Sequence, residues 1–385
     1  MSQLAMPKGS VTEMKPGVYR LRVDAGVDPI TGKRRQVSKV IHGGKRQANN
    51  ELRRLIAEVE SGVANNAKQT VDELANEWLA FKRAELSPKT IELYTQCIQR
   101  HILPALGHRK VHTLTPRDLD RFYGALAQRG MSAYGIRQVH ATIRAALSQG
   151  VKWQMIPTNV ALIATPPKPP KRAPRAITPE QFGEIIAKTS QTYDPSLARF
   201  FTLAALTGAR RGEILGLRLL DLDIANASLA ITRSVISLKG QAMVKSTKTG
   251  QHRTISLDQI SLDTLCAQRD QVMAKAIEGG FSQVENPYFF ASDPTGERSI
   301  HPDWPSHVFR RVCDELSLPF HLHELRHFSA TQLIAAGVDL RTVANRLGHS
   351  DPTITMRIYA HVVEAKDREA ADKLGAIVGG ASRDS

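Results

Sequence analysis

The chain opens on a period-two pattern. Tyr19, Leu21 and Val23 alternate with Val18, Arg20 and Arg22, which predicts a strand with one covered face. Asp28-Pro29 and Thr31-Gly32-Lys33 form a turn signal, and residues 35–41 return as a second strand. The period then changes. Leu52, Leu55, Ile56 and Val59 recur at helical spacing and predict a helix over 48–59. From Thr70 to about Ala164 the pattern is helical. Thr70 and Glu73 form a capping box ahead of Val71, Leu74, Trp78, Leu79 and Phe81. Ser87-Pro88 and Thr115-Pro116 each place proline at a tolerated first helical position. The second of these precedes Leu119, Phe122, Tyr123 and Leu126, and Ser132 starts a further helix running through Leu147. These helices predict a compact all-α domain.

Residues 165–176 read TPPKPPKRAPRA. Five prolines and four basic residues exclude a helix or a central strand, so this stretch is read as an extended basic linker. Thr178-Pro179-Glu180 resumes the helical pattern. Short β-branched runs around Lys239-Gly240 and Thr249-Gly250 predict a small sheet among the later helices. The fold class that follows is mainly α with small β-sheets (α+β). The domains are expected at 1–66, 67–164 and 177–385, with 165–176 as the linker.

Composition narrows the function classes. The chain has 385 residues, a length that suits two or three domains, and a 42% hydrophobic content that supports real cores. It holds no apolar run long enough to span a membrane, and MSQLAMPKGS has no apolar signal-peptide core. Cys97, Cys266 and Cys313 are odd in number and far apart, which points to buried thiols in a reducing, cytoplasmic setting. Lys and Arg exceed Asp and Glu by 52 to 37, a net charge of +15. The excess recurs in every segment, so a long polyanion such as nucleic acid fits better than a membrane surface. For the N-terminal sheet and helix, two readings stand: a DNA-binding module or a solvated hairpin.

Several residues carry candidate chemistry. In TGARRGEIL, Thr207-Gly208 breaks an apolar helix and sets Arg210 on a turn. Glu213, three residues on, can orient its guanidinium, which can bind phosphate in bidentate fashion. A surface ion pair is the plain alternative. Lys248 lies beside the Thr249-Gly250 hairpin signal, where it can swing in and protonate a leaving oxygen, or simply remain solvated. His323, Arg326 and His327 share one helix face in HELRH. That string also fits the HExxH zinc pattern, with Glu324 as base. Against zinc, Arg326 places a fixed cation beside the metal, and Leu333 stands where the extended motif carries its third histidine. His349 or Glu364 remains open as a distant ligand. His349 sits at a helix-ending Gly348 and can donate to a phosphate oxygen. Tyr359 carries a phenol of pKa about 10, a nucleophile only where cations favour its phenolate, and otherwise a packing residue.

TGARRGEILGLR, STKTGQHRTISL and HELRHFSATQLIAAGVDLRTVANRLGHSDPTITMRIYAHV together resemble the tyrosine recombinases, specifically integrases of phages and integrative elements. The N-terminal segment is similar to their arm-site-binding module, and residues 67–164 to their helical, SAM-like core-binding domain. The resemblance implies a catalytic domain in which Tyr359 attacks a scissile phosphate to form a 3′-phosphotyrosyl link. It implies that Arg210 and Arg326 bind non-bridging oxygens and that Lys248 protonates the 5′-oxygen. His323 then assists proton transfer from Tyr359, His349 donates to a non-bridging oxygen, and Glu213 supports the site. No cofactor or metal is implied. Partners implied are double-stranded DNA attachment sites, a homotetramer on DNA, and a host DNA-bending factor or excisionase. Further DNA contacts are expected at Arg20, Arg22, Arg34, Arg35, Lys89, Arg137 and Arg144. The amphipathic tail after Tyr359 suits docking on its own domain or on a neighbouring protomer. The alternatives are a non-catalytic regulator of the same fold and a type IB-like topoisomerase.

Overall fold

A computed structural model describes residues 9–27, 34–60, 69–170, 176–246, 252–281 and 284–348, with Ala371, Leu374 and Gly375. The chain divides into two compact units, Met1–Arg172 and Ala173–Ser385. The boundary falls inside the proline-rich stretch. Residues 165–170 of that stretch carry neither helix nor strand. The fold is mainly α with small antiparallel sheets.

In the first unit, strands β1 (Gly9–Lys15), β2 (Val18–Val27) and β3 (Arg34–His42) form an antiparallel sheet in that order, followed by α1 (Lys45–Glu60). The alternation read in β2 sets its faces. Tyr19, Leu21 and Val23 are buried with Ala48 and Leu55 of α1, while Arg22 is exposed. Strand β1 was not evident from the sequence. Its residues GSVTEMK are exposed at every position but Val11, so no alternation marks it. The Asp28-Pro29 and Thr31-Gly32-Lys33 turn lies outside the described residues.

The helical part of this unit comprises α2 (Val71–Lys82), α3 (Pro88–Cys97), a π-helical turn (Ile98–Ile102) leading to α4 (Leu103–Leu106), α5 (Pro116–Gln128) and α6 (Ala133–Lys152). Their starts follow the sequence signals. Thr70 and Thr115 form capping boxes, and Ser87 and Ser132 cap α3 and α6. Trp78, Ile98, Ile102, Leu119 and Tyr123 fill the core. Phe81 departs from the expectation. It is exposed at the end of α2 and meets Trp153 edge-on, with ring centroids 5.5 Å apart.

The second unit holds α7 (Pro179–Thr192), α8 (Pro195–Thr207), α9 (Arg211–Leu215), β4 (Leu222–Asp223), β5 (Ser228–Ile231), β6 (Arg233–Leu238), β7 (Gln241–Ser246), β8 (Arg253–Ser256), α10 (Gln259–Glu278), α11 (Asp303–Glu315), α12 (Glu324–Ala335) and α13 (Leu340–Leu347). Helix α8 is apolar on nearly all sides, as a central helix must be. It packs against α7, α10 and α12. The Thr249-Gly250 turn signal lies outside the described residues, and strand pairing is known on either side of it. The hairpin is β6–β7, turning at Lys239-Gly240, whereas β8 pairs with β5 in the sheet β4-β5-β8. The described strands on either side of Thr249-Gly250 thus belong to different sheets. Among the described residues, no helix is long and apolar enough to cross a membrane. Cys97 and Cys313 are buried, Cys266 is half-buried, and all three are free thiols.

Phe201 of α8 is fully buried, edge-on to Phe309 with centroids 5.1 Å apart. Phe201→Ala is expected to destabilise the second unit by about 3–5 kcal/mol, because a cavity adds to the lost transfer energy. Denaturant unfolding checks this; a loss below about 1 kcal/mol would contradict the packing described.

Candidate active site

Helix α8 ends where the sequence placed its break. Gly208 takes a left-handed conformation, φ 64°. A Cβ there would stand 2.4 Å from Leu347 Cδ2, so both backbone angle and space select glycine. The turn delivers Arg210 to the start of α9. The Gly208 carbonyl also accepts a hydrogen bond from Arg326 Nη1 at 2.6 Å. One turn thereby positions both arginines of the predicted phosphate clamp.

Glu213 organises the surroundings of Arg210. Its carboxylate is 4% exposed, while the Arg210 side chain is 46% exposed. Oε1 accepts from Arg210 Nη1 at 2.9 Å and from Arg253 Nη1 at 3.2 Å. Oε2 accepts from the Arg210 backbone N–H at 2.9 Å and from Arg253 Nη2 at 2.7 Å. Burial pushes the Glu213 carboxyl up. The hydrogen bonds and charge of Arg253, followed by those of Arg210, outweigh it and hold the group below its ordinary value. Arg210 Nη2 also donates to the Gly348 carbonyl at 3.0 Å. Its guanidinium is thus fixed on two sides and open to solvent on the rest.

Helix α12 begins just after His323, and Arg326 and His327 follow on its first turn. Arg326 is buried. The rings of His323 and His327 stand edge-on, with centroids 5.0 Å apart. Packing around the His323 ring desolvates the imidazolium, and His327, Arg326 and Arg210 add positive charge. Together they push its pKa down to about 4. His323 is therefore neutral near pH 7, and its outer face stays open to solvent. A cleft of about 330 Å³ lies over this region, lined by Ala209, Arg211, Ser306, His321, His323 and Arg326 among others. Glu324, the base of the zinc reading, has its Oε2 accepting from the His321 backbone N–H at 3.0 Å. Among the described residues, no group of three or more His, Cys, Asp or Glu is placed to hold a metal ion. The distant ligands considered, His349 and Glu364, lie outside the described residues.

Helix α13 ends at Leu347, with Gly348 left-handed at φ 69°. His349 follows directly; it, Lys248 and Tyr359 lie outside the described residues, as does the tail after Tyr359 apart from Ala371, Leu374 and Gly375. Two residues of the site were not singled out from sequence, Arg253 and Arg346. Arg346 is half-buried and donates to the carbonyls of Ser256 at 2.9 Å and Leu206 at 3.3 Å, tying α13 to β8 and α8. Their partners are remote in sequence, so no local pattern marks them.

The predicted DNA contacts belong to the first unit. Arg20 and Arg22 share the β2 face opposite Tyr19, Leu21 and Val23, and Arg35 is exposed on β3. Arg34 is committed to Asp24 at 2.5 Å, and Lys89 to Glu92 at 2.8 Å. Arg137 and Arg144 are exposed two turns apart on α6.

Comparison with known proteins bears on both units. Residues 175–366 match the phage integrase family, and residues 70–127 match the phage integrase N-terminal SAM-like domain. The ICEBs1 integrase of Bacillus subtilis is 26% identical over 374 residues, covering 95% of this chain and 99% of that protein. An integrase of Streptomyces ambofaciens is 26% identical over 87% of each chain. Among solved structures, the Tn1549 transposon integrase in complex with a circular intermediate DNA aligns with TM-score 0.68 and 16% identity, over 79% of this chain and 99% of that one. A lambda integrase tetramer bound to a Holliday junction aligns with TM-score 0.59 and 18% identity, over 89% and 96%.

Glu213→Gln keeps the shape and removes the charge, leaving two guanidinium groups without their anion. Breaking a buried pair in this way is expected to cost about 3–5 kcal/mol at neutral pH. The native carboxyl ionises below its ordinary value. Its contribution is therefore complete above the ordinary carboxylate range and disappears as pH falls through the native pKa. Urea unfolding against pH should show the gap between wild type and variant closing in acid; a pH-independent gap would contradict the assignment.

Proposed function

The chain belongs to the phage integrase family of tyrosine recombinases, and we propose that Arg210, Lys248, His323, Arg326, His349 and Tyr359 are the groups with which it cuts and rejoins DNA. It is a site-specific DNA recombinase. The observation that carries the residue assignment is the placement of Arg210 and Arg326 by one turn, with a neutral histidine beside them.

In the proposed cycle, Tyr359 Oη attacks phosphorus as the neutral His323 imidazole takes the phenolic proton. A P–O(tyrosyl) bond forms and the bond to the 5′-oxygen breaks, leaving a 3′-phosphotyrosyl link. Lys248 gives the leaving 5′-oxygen its proton. The guanidinium groups of Arg210 and Arg326, with His349, neutralise charge that builds on the non-bridging oxygens, as preorganised donors do. Religation reverses these steps with a new 5′-hydroxyl, so the bond energy is conserved. Glu213 holds Arg210 from behind.

The proposal extends to partners. Four protomers act on two duplex attachment sites, with a host DNA-bending factor or an excisionase setting direction, in the cytoplasm of a bacterium. The lambda integrase tetramer on a Holliday junction supports the tetramer. The basic excess of the chain supports duplex binding, which should weaken steeply with salt. Arg20, Arg22, Arg35, Arg137 and Arg144 are proposed phosphate or base contacts, and Arg34 and Lys89 contribute after exchanging their carboxylate partners for phosphate.

A nicked suicide duplex carrying the core site should trap a covalent protein–DNA adduct. Tyr359→Phe should abolish the adduct at nearly unchanged DNA affinity. Arg210→Ala should slow its formation by about 10²–10³-fold, the usual cost of one lost donor to a developing charge. A 5′-phosphorothiolate substrate should rescue Lys248→Ala, because sulfur leaves without a proton. An adduct persisting in Tyr359→Phe contradicts the mechanism. Tight binding with no wild-type adduct points instead to the non-catalytic regulator, and relaxation without strand exchange to the topoisomerase.

A further inference from the structure

We infer that Arg253 is a positioning residue for strand cleavage, acting on Arg210 through the buried carboxylate of Glu213 and on the end of α13 through its backbone. The inference rests on the reading above, in which Arg210 binds the scissile phosphate.

Arg253 is the first residue of β8, and its side chain is 14% exposed. That burial leaves it little room to meet DNA directly. Its two terminal nitrogens fork onto the two oxygens of Glu213, at 3.2 and 2.7 Å. Its Nε donates to the Arg346 carbonyl in the last turn of α13, at 3.1 Å. Space for this guanidinium exists only because residue 348 has no side chain. A Cβ on Gly348 would lie 2.6 Å from Arg253 Nη1 and 2.8 Å from Cζ.

The hydrogen bonds close a ring. Arg210 meets Glu213, Glu213 meets Arg253, Arg253 meets Arg346, and the chain runs on to Gly348, whose carbonyl accepts from Arg210. Glu213 spends its four acceptor positions evenly, two on Arg210 and two on Arg253. With Arg253 removed, a buried carboxylate keeps one cation, and that cation is the group needed at the phosphate. The Arg210 guanidinium is then drawn toward Glu213, and the end of α13, which leads into His349, loses its tether. A guanidinium is required because the fork must satisfy two oxygens and a carbonyl at once; an ammonium cannot match that geometry.

The test is single-turnover cleavage of the nicked suicide duplex by full-length protein, with duplex affinity and thermal unfolding measured alongside. Arg253→Ala should cleave roughly 10- to 100-fold more slowly at saturating DNA, the scale of loss for a misplacement of about 1 Å. The half-saturating DNA concentration should change little. The acid limb of the pH–rate profile should move upward, because Glu213 without Arg253 takes up a proton at higher pH. Arg253→Lys should restore part of the rate and move the limb back. Adding Arg253→Ala to Glu213→Gln should cost little beyond Glu213→Gln alone. The inference is overturned if folded Arg253→Ala cleaves at the wild-type rate, if its pH profile is unmoved, or if the two losses multiply independently. A variant too unstable to assay leaves Arg253→Lys to decide: wild-type rate and pH profile there, despite the lost fork, also overturn it. Wild-type protein that forms no Tyr359-dependent adduct overturns the functional reading, and this inference with it.

Discussion

Taking a carboxylate out of water costs several kcal/mol unless charge and hydrogen bonds compensate. Glu213 is such a carboxylate, almost wholly buried and bonded to Arg210 and Arg253. Every other feature of the site depends on how that requirement is met. Arg253 fills one side of the carboxylate and is held by α13. Arg210 fills the other side and keeps its remaining face in solvent. Because the anion is shared, neither guanidinium is fully neutralised, and Arg210 retains charge for a phosphate. The Gly208 turn extends this order to Arg326.

Packing comes first, and this concentration of cations second, in setting the histidine beside them. His323 stands near Arg326, Arg210 and His327 and is pushed down to about 4 by packing and by their charge. A site built to attract an anion thus keeps its imidazole unprotonated and ready to accept a proton. An arriving phosphate would offset part of that positive field, so the base is set for substrate rather than for the empty site. Glu324, the residue that suggested a zinc hydrolase, accepts from the His321 backbone N–H just ahead of the helix that carries Arg326.

What was legible in the sequence was local. The capping box at Thr70, the helix starts at Ser87, Thr115, Ser132 and Thr178, and the glycine breaks at Gly208 and Gly348 are fixed by residues within a few positions of each other. The pairing of Arg210 with Glu213 was legible for the same reason, being three residues apart on a helix start. Arg253 was not, because its partners lie 40 and 93 residues away and no periodicity connects them. Strand β1 was hidden by its polar, exposed composition. Thr249-Gly250 lies outside the described residues, and turn chemistry marks a change of direction without identifying which strands pair, so the different sheets of β7 and β8 could not be read from it. The resemblance to the family was carried by three short motifs, around Arg210, Lys248 and His323, and not by any periodicity.

The claim that one buried carboxylate organises the site can be tested on the resting protein, without DNA. With the Glu213 side chain assigned by comparison with Glu213→Gln, its carboxyl ¹³C resonance can be followed through an acid titration. Shared between two guanidinium groups, Glu213 should stay ionised to below the ordinary carboxylate range. Protonation at or above the ordinary value would mean that burial outweighs the two arginines, and would contradict the account.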